Sequence, residues 1–233
     1  MNTTHIQTET RQVSGFERVS IRGNTFSAQL FLTQCEQEGL TIEAPPEYLN
    51  RLHSQVKDGK LTVHLRGSWL QELGDALATC MNRPHIVYHL KVRELTSLEV
   101  QCAYRVHASR IETQHLRLRL NGAGDFKLEW LLAESLEVHH SGTGSLWISG
   151  QVEEQSVVLD GVGSYLALGL ESRRACVRLN GASLARVRVS EELDANLRGV
   201  GVLEYNGQPR VSQRISGPGR VVHIDSAFIG SHL

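Results

Sequence analysis

Two adjacent histidines, His139 and His140, form the most ligand-like local group in the chain. A metal ion needs its ligands on one side of the backbone. Neighbours along an alternating strand point to opposite faces, so His140 is expected inward and His139 outward, and the pair does not close readily on one ion. The other histidines show neither His-x-His nor His-Glu-x-x-His spacing. Ser141-Gly142-Thr143-Gly144-Ser145 has the composition of a phosphate-cradling loop. It lacks the Lys-Ser/Thr step and the following helix that such a loop uses to hold phosphate. No Gly-x-Ser-x-Gly stands where a strand would lead into a helix, so a nucleophile elbow is not expected.

Glycoside cleavage on a β-sheet would need two carboxylates about 5 to 9 Å apart. The candidate acids Glu99, Asp125, Glu129, Glu137, Glu153, Glu154, Asp160 and Glu171 stand at dissimilar positions in the pattern and read as solvated surface groups. The chain is therefore read as a non-enzyme, with no catalytic residue, metal ligand or cofactor site expected. Binding chemistry has better candidates. Arginine becomes denser toward the C-terminus, and Trp147 falls at an outward position in line with Lys127, Leu166 and Arg186. Trp147, Arg178, Arg186, Arg188 and Arg198 are the expected binding surface, an aromatic group with a basic stripe suited to an acidic glycan or a partner protein.

What would position these residues is a repeat. Gly-x-Gly or a close variant recurs at Gly122 and Gly124, Gly142 and Gly144, Gly161 and Gly163, Gly181 with Ser183, Gly199 and Gly201, and Gly217 and Gly219, in steps of 20, 19, 20, 18 and 18 residues. Two residues before each first glycine stand Leu120, His140, Leu159, Leu179, Leu197 and Ile215; two residues after each turn stand Phe126, Leu146, Tyr165, Ala185, Leu203 and Val221. Apolar and polar residues alternate on both sides, the period of a half-buried strand. Like residues recur at like places in every unit, which predicts an all-β fold: a β-helix or solenoid of about 19-residue coils, right-handed by default, with the glycines at its corners. Leu98, Val100 and Val106 extend the columns upstream around Cys102-Ala103-Tyr104, and Lys57-Asp58-Gly59-Lys60 reads as a tight turn.

One segment departs from the pattern. Ser68-Trp69-Leu70-Gln71 fits a capping box, and Trp69, Leu73, Leu77 and Met81 follow at helical spacing before Pro84, which predicts one short helix near 68–82. The domain reading is a flexible N-terminus over 1–12, a single solenoid domain over 13–224 that includes the helix, and a C-terminal tail over 225–233. Hydrophobic residues at 40% and charged ones at 21% suit a packed domain, and 24 basic against 25 acidic residues leave no global field to recruit nucleic acid. Cys35, Cys80, Cys102 and Cys176 form no Cys-x-x-Cys pair and read as isolated thiols. Neither a secretory leader nor an apolar membrane span is evident, so the chain as written reads as cytoplasmic.

Val13-Ser14-Gly15-Phe16-Glu17-Arg18-Val19, then Leu40-Thr41-Ile42-Glu43-Ala44, then Val56-Lys57-Asp58-Gly59-Lys60-Leu61-Thr62-Val63, followed by the glycine repeats, resemble the bacterial family described as putative auto-transporter adhesin, head GIN domain. The resemblance covers about residues 13 to 224. It implies a β-helical fold of unknown biochemical function without catalytic residues, and an envelope or extracellular location as the alternative to the cytoplasm. The leading functional expectation is a non-enzymatic, adhesin-like binding module whose partner is a protein or a glycan. The alternatives are a cytoplasmic self-assembling scaffold, present as a homo-oligomer, and, third, a β-helix carbohydrate-active enzyme.

Overall fold

A computed structural model describes residues 6–65 and 85–225. The expected helix near 68–82, Cys80 and most of the expected C-terminal tail lie outside the described residues. The elements are β1 (Gln7–Arg11), β2 (Arg18–Gln34), β3 (Gly39–Ala44), the single turn α1 (Pro46–Leu49), β4 (Leu52–Lys57), β5 (Lys60–Leu65), β6 (His85–Val92), β7 (Ser97–Glu112), β8 (His115–Gly181), β9 (Leu184–Gly199), β10 (Val202–Asn206), β11 (Arg210–Ser216) and β12 (Arg220–His223). The fold is all-β, and the described strands join in one large mixed sheet.

The strand pairing explains the repeat. β7 runs parallel to the start of β8 with Leu98 against Leu118, Val100 against Leu120 and Val106 against Phe126. The end of β8 runs parallel to β9 with Tyr165 against Ala185 and Leu179 against Leu197. β10 and β11 continue this on β9, and β12 on β10. At 67 residues, β8 would span about 220 Å if straight. It turns back on itself instead, so that Gly142 lies over Gly122 and Gly161 over Gly142. The first glycine of each pair has a positive φ, from +111° at Gly199 to +145° at Gly181. At Gly142 an added Cβ would fall 1.9 Å from the carbonyl oxygen of Gly122. Only glycine fits there, for both its backbone angle and its contact. Each successive layer of chain, a tier, therefore begins with its turn seated on the turn before.

The alternating apolar residues supply one buried core that runs from Phe16 to Leu203. Ile215, expected inward with its column, is exposed, and so is Gln213 two residues before it. They belong to β11, which among the described strands pairs with β9 alone, so no described tier covers them.

The N-terminal part differs from a simple continuation of the columns. β6 pairs parallel with β2, but β3 runs antiparallel to β6 and β1 antiparallel to β3. The segment expected to be a flexible N-terminus therefore contributes a strand, with Gln7 opposite Ala44 and Arg11 opposite Leu40. Its polar, short sequence shows no core alternation, because β1 is an edge strand and mostly exposed. β4 and β5 form an antiparallel hairpin. Its turn has positive φ at both Asp58 and Gly59, +50° and +71°, as a type I′ hairpin requires. Glu99 on β7 ties this region together: it accepts from Lys60 on β5 at 3.0 Å and from Arg22 and Ser20 on β2 at 3.2 and 3.1 Å. Burial pushes its carboxyl up, but these donors outweigh it and hold the group at about 2.

Candidate binding groove on the outer face

The strand that leaves each glycine turn exposes every second residue, and parallel pairing lines these up across tiers. In one column Gln29 stands beside Arg105 and Arg105 beside Asp125; in the next, Phe31 beside His107 and His107 beside Lys127. Trp147 extends that second column, since it follows Lys127 at the spacing by which Gly142 follows Gly122. These seven side chains and the buried Val106 line a groove of about 510 Å³. Trp147 is 40% exposed, well above what its size needs for packing alone.

The groove has an aromatic wall and a charged floor. His89, from β6, stacks on Phe31 with ring centroids 5.3 Å apart at 12°, and His107 meets Phe31 edge-on at 6.3 Å. Glu43 of β3 lies 3.0 Å from His89 Nε2 and fixes the orientation of that ring. Lys127 donates to Glu129 at 3.1 Å and, with His107 behind it, holds that exposed carboxyl below its ordinary value. Asp125 accepts from the backbone N–H of Ser145 on the next tier. Arg105 has no ion pair among the described residues and is exposed. Chemically this is a shallow trough with flat apolar faces, hydrogen-bond donors beside them and one free guanidinium.

Of the residues expected to bind, Trp147 and Arg186 do share a column, with Leu166 between them. Arg186 is engaged by Glu204 at 2.7 Å and Arg188 by Glu171 at 2.9 Å. Arg178 and Arg198 lie instead on the strand that enters the turn, beside Asn196 and Asn180. The expected basic stripe is thus two separate sets on two stretches of surface. Phe31, His89 and His107 were not foreseen. Their only signal is Phe31 at a polar phase of Gln29-Leu30-Phe31-Leu32, and its partners come from strands whose register the repeat does not reveal.

The other candidates take structural places. His140 points in and is buried, whereas His139 points out, 2.7 Å from Asp160. Arg117 binds Glu137, Arg173 bridges Glu153 and Glu191, and Arg174 binds Glu154. Asn180 and His139 hold the Asp160 carboxyl low. Glu99, Glu129 and Asp160 are all displaced downward, opposite to what a general acid needs. Gly163, expected as a turn glycine, has no positive φ; an added Cβ would meet the His140 ring at 3.0 Å. Among the described residues no group of three His, Cys, Asp or Glu side chains is placed to hold a metal ion, and no helix is long and apolar enough to cross a membrane.

A crystal structure of a putative adhesin from Bacteroides fragilis NCTC 9343 superposes with a TM-score of 0.83 at 19% identity, covering 95% of this chain and 98% of that one. A putative lipid binding protein from Parabacteroides distasonis ATCC 8503 gives 0.69 at 16% identity over 95% and 98%, and a putative adhesin from Parabacteroides merdae ATCC 43184 gives 0.61 at 16% over 95% and 97%. At such identities the likeness shows the shared fold alone. No curated protein matches. The family described as "putative auto-transporter adhesin, head GIN domain" matches residues 15–209, which is most of the chain, and the protein belongs to that family.

Proposed function

We propose that the chain is a single β-solenoid domain without catalytic activity, which binds a glycan along the outer groove centred on Trp147. The observation that carries this reading is the column Phe31, His107, Lys127, Trp147, in which half-buried and exposed flat side chains and a cation follow at intervals of one strand spacing, about 4.8 Å. An extended sugar chain laid along the column would set its rings over successive tiers. Aromatic faces would pack on the apolar face of a ring, and Arg105, Lys127 and Gln29 would donate to its hydroxyls. A rigid scaffold suits such a role, because little ordering is needed on binding. The adhesin description of the family supports a place at the cell envelope rather than in the cytoplasm.

The test is a glycan array followed by calorimetry on the strongest hit. Trp147→Ala is expected to weaken that hit at least about tenfold, equivalent to ~1.4 kcal/mol of lost stacking. Trp130→Ala, at the exposed Trp130 outside the groove lining, leaves it unchanged. A blank array at low salt, or equal affinity in Trp147→Ala, overturns the reading.

A further inference from the structure

Several arginines that the repeat places on the surface are matched to an acid on the same or a neighbouring tier: Arg117 to Glu137, Arg173 to Glu153 and Glu191, Arg174 to Glu154, Arg186 to Glu204 and Arg188 to Glu171. Three that lie close together are not. Arg178 on β8, Arg198 on β9 and Arg214 on β11 are exposed and have no carboxylate partner among the described residues. Register brings them around one point: Arg178 stands beside Asn196, Asn196 beside Arg214, and Arg198 is two residues along the strand from Asn196. Asn180 and Ser216 flank Arg198 on either side. Two acids border the set: Asp194 stands diagonal to Arg178 and Arg214, and Asp160 lies beyond Asn180, which with His139 already engages its carboxylate.

We propose that Arg178, Arg198 and Arg214 form a second binding site, which takes an acidic polysaccharide carrying one carboxylate or sulfate per disaccharide. The column reads cation, neutral amide, cation. The backbone positions that carry its two arginines are two strand spacings apart, about 10 Å, comparable to the disaccharide repeat of an extended polysaccharide. Between them Asn196 is placed to serve the hydroxyls of an uncharged sugar, and Arg198 approaches the same anion from the side. Guanidinium groups suit carboxylate and sulfate because their paired N–H groups match two oxygens at once. The spacing disfavours nucleic acid, whose phosphates are far denser and whose binding would call for a broader basic field than a chain of net charge −1 provides. This site is on the strand entering the glycine turn, apart from the groove, and does not depend on it.

The experiment is fluorescence anisotropy with labelled hyaluronan octasaccharide at low salt, with neutral dextran oligosaccharide and phosphatidylglycerol vesicles as comparison probes. The wild-type chain is expected to bind hyaluronan, more weakly as salt rises, and its response to dextran is expected to be the same in the arginine variants. The triple substitution R178Q/R198Q/R214Q, on exposed positions whose fold is checked by circular dichroism, is expected to lose at least tenfold. If the triple variant does not fold, the three single variants are measured, and each is expected to weaken binding. Trp147→Ala is expected to bind hyaluronan as the wild type does, which separates this site from the groove. Equal binding by the arginine variants, capture of dextran that is lost with the arginines, or arginine-dependent binding of the vesicles without binding of hyaluronan overturns the proposal.

Discussion

His140 occupies a column otherwise filled by Leu120, Leu159, Leu179 and Leu197, and is almost wholly buried. Its Nδ1 lies 3.1 Å from the Leu120 carbonyl, to which the ring N–H donates, and 3.2 Å from Tyr104 Oη. Burial, with a smaller push from the charge of His139, holds the imidazole below its ordinary value against the Leu120 hydrogen bond. The native state then binds fewer protons than the unfolded chain. Its stability is whole above the unfolded value of about 6.5 and declines as pH falls through that value toward the lower native one. Urea midpoints measured from pH 7.5 to 5 are expected to fall for the wild type and to fall less for His140→Leu. Gly163→Ala is expected to cost about 1–3 kcal/mol beside His140 and less in a His140→Ala background, where only the 3.1 Å approach to the Gly144 carbonyl oxygen remains, the coupling that a double-mutant cycle reports. The alternation in sequence was enough to send His140 inward and His139 outward. It was not enough to tell Gly163, which leaves space for a ring, from Gly142, whose backbone angle demands glycine, because both look alike in a Gly-x-Gly pair.

At the scale of strands, the legible part is where each element pairs with one like itself. Leu98 over Leu118 and Val106 over Phe126 follow directly from spacing. β1, β3 and β4 pair antiparallel with partners of unrelated sequence, so no column announces them; the aromatic wall lies on the parallel strands β2, β6 and β7, where Phe31 stands beside His89 and His107 with no like residues to mark the register. The glycine turns are the joints of the parallel strands. Gly142→Ala would press a Cβ into the Gly122 carbonyl at a backbone angle that alanine resists. A loss of about 3 kcal/mol or more in chemical denaturation is expected, whereas the exposed Thr143→Ala should stay within about 0.5 kcal/mol. Equal stability of these two variants would contradict the stacked turn.

Over the whole molecule, one core passes through the parallel tiers, while the described surface carries paired charges, the Trp147 groove, the unmatched arginines and scattered apolar side chains such as Val162 and Val200. Fold and core were open to sequence reasoning because burial repeats; the surface sites were only partly so, because which arginine meets an acid depends on the register between tiers. That same seating of Gly161 on Gly142 and of Gly142 on Gly122 makes length a counted quantity. Excising 142–160 would set Gly161 directly above Gly122 and leave both ends of the molecule untouched, so a cooperative melt with native-like far-ultraviolet circular dichroism is expected of the shortened chain. A gene with this organisation can gain or lose reach by in-frame duplication or loss of one segment, and the groove and the arginine site, which rest on different tiers, can be inherited, copied or discarded separately.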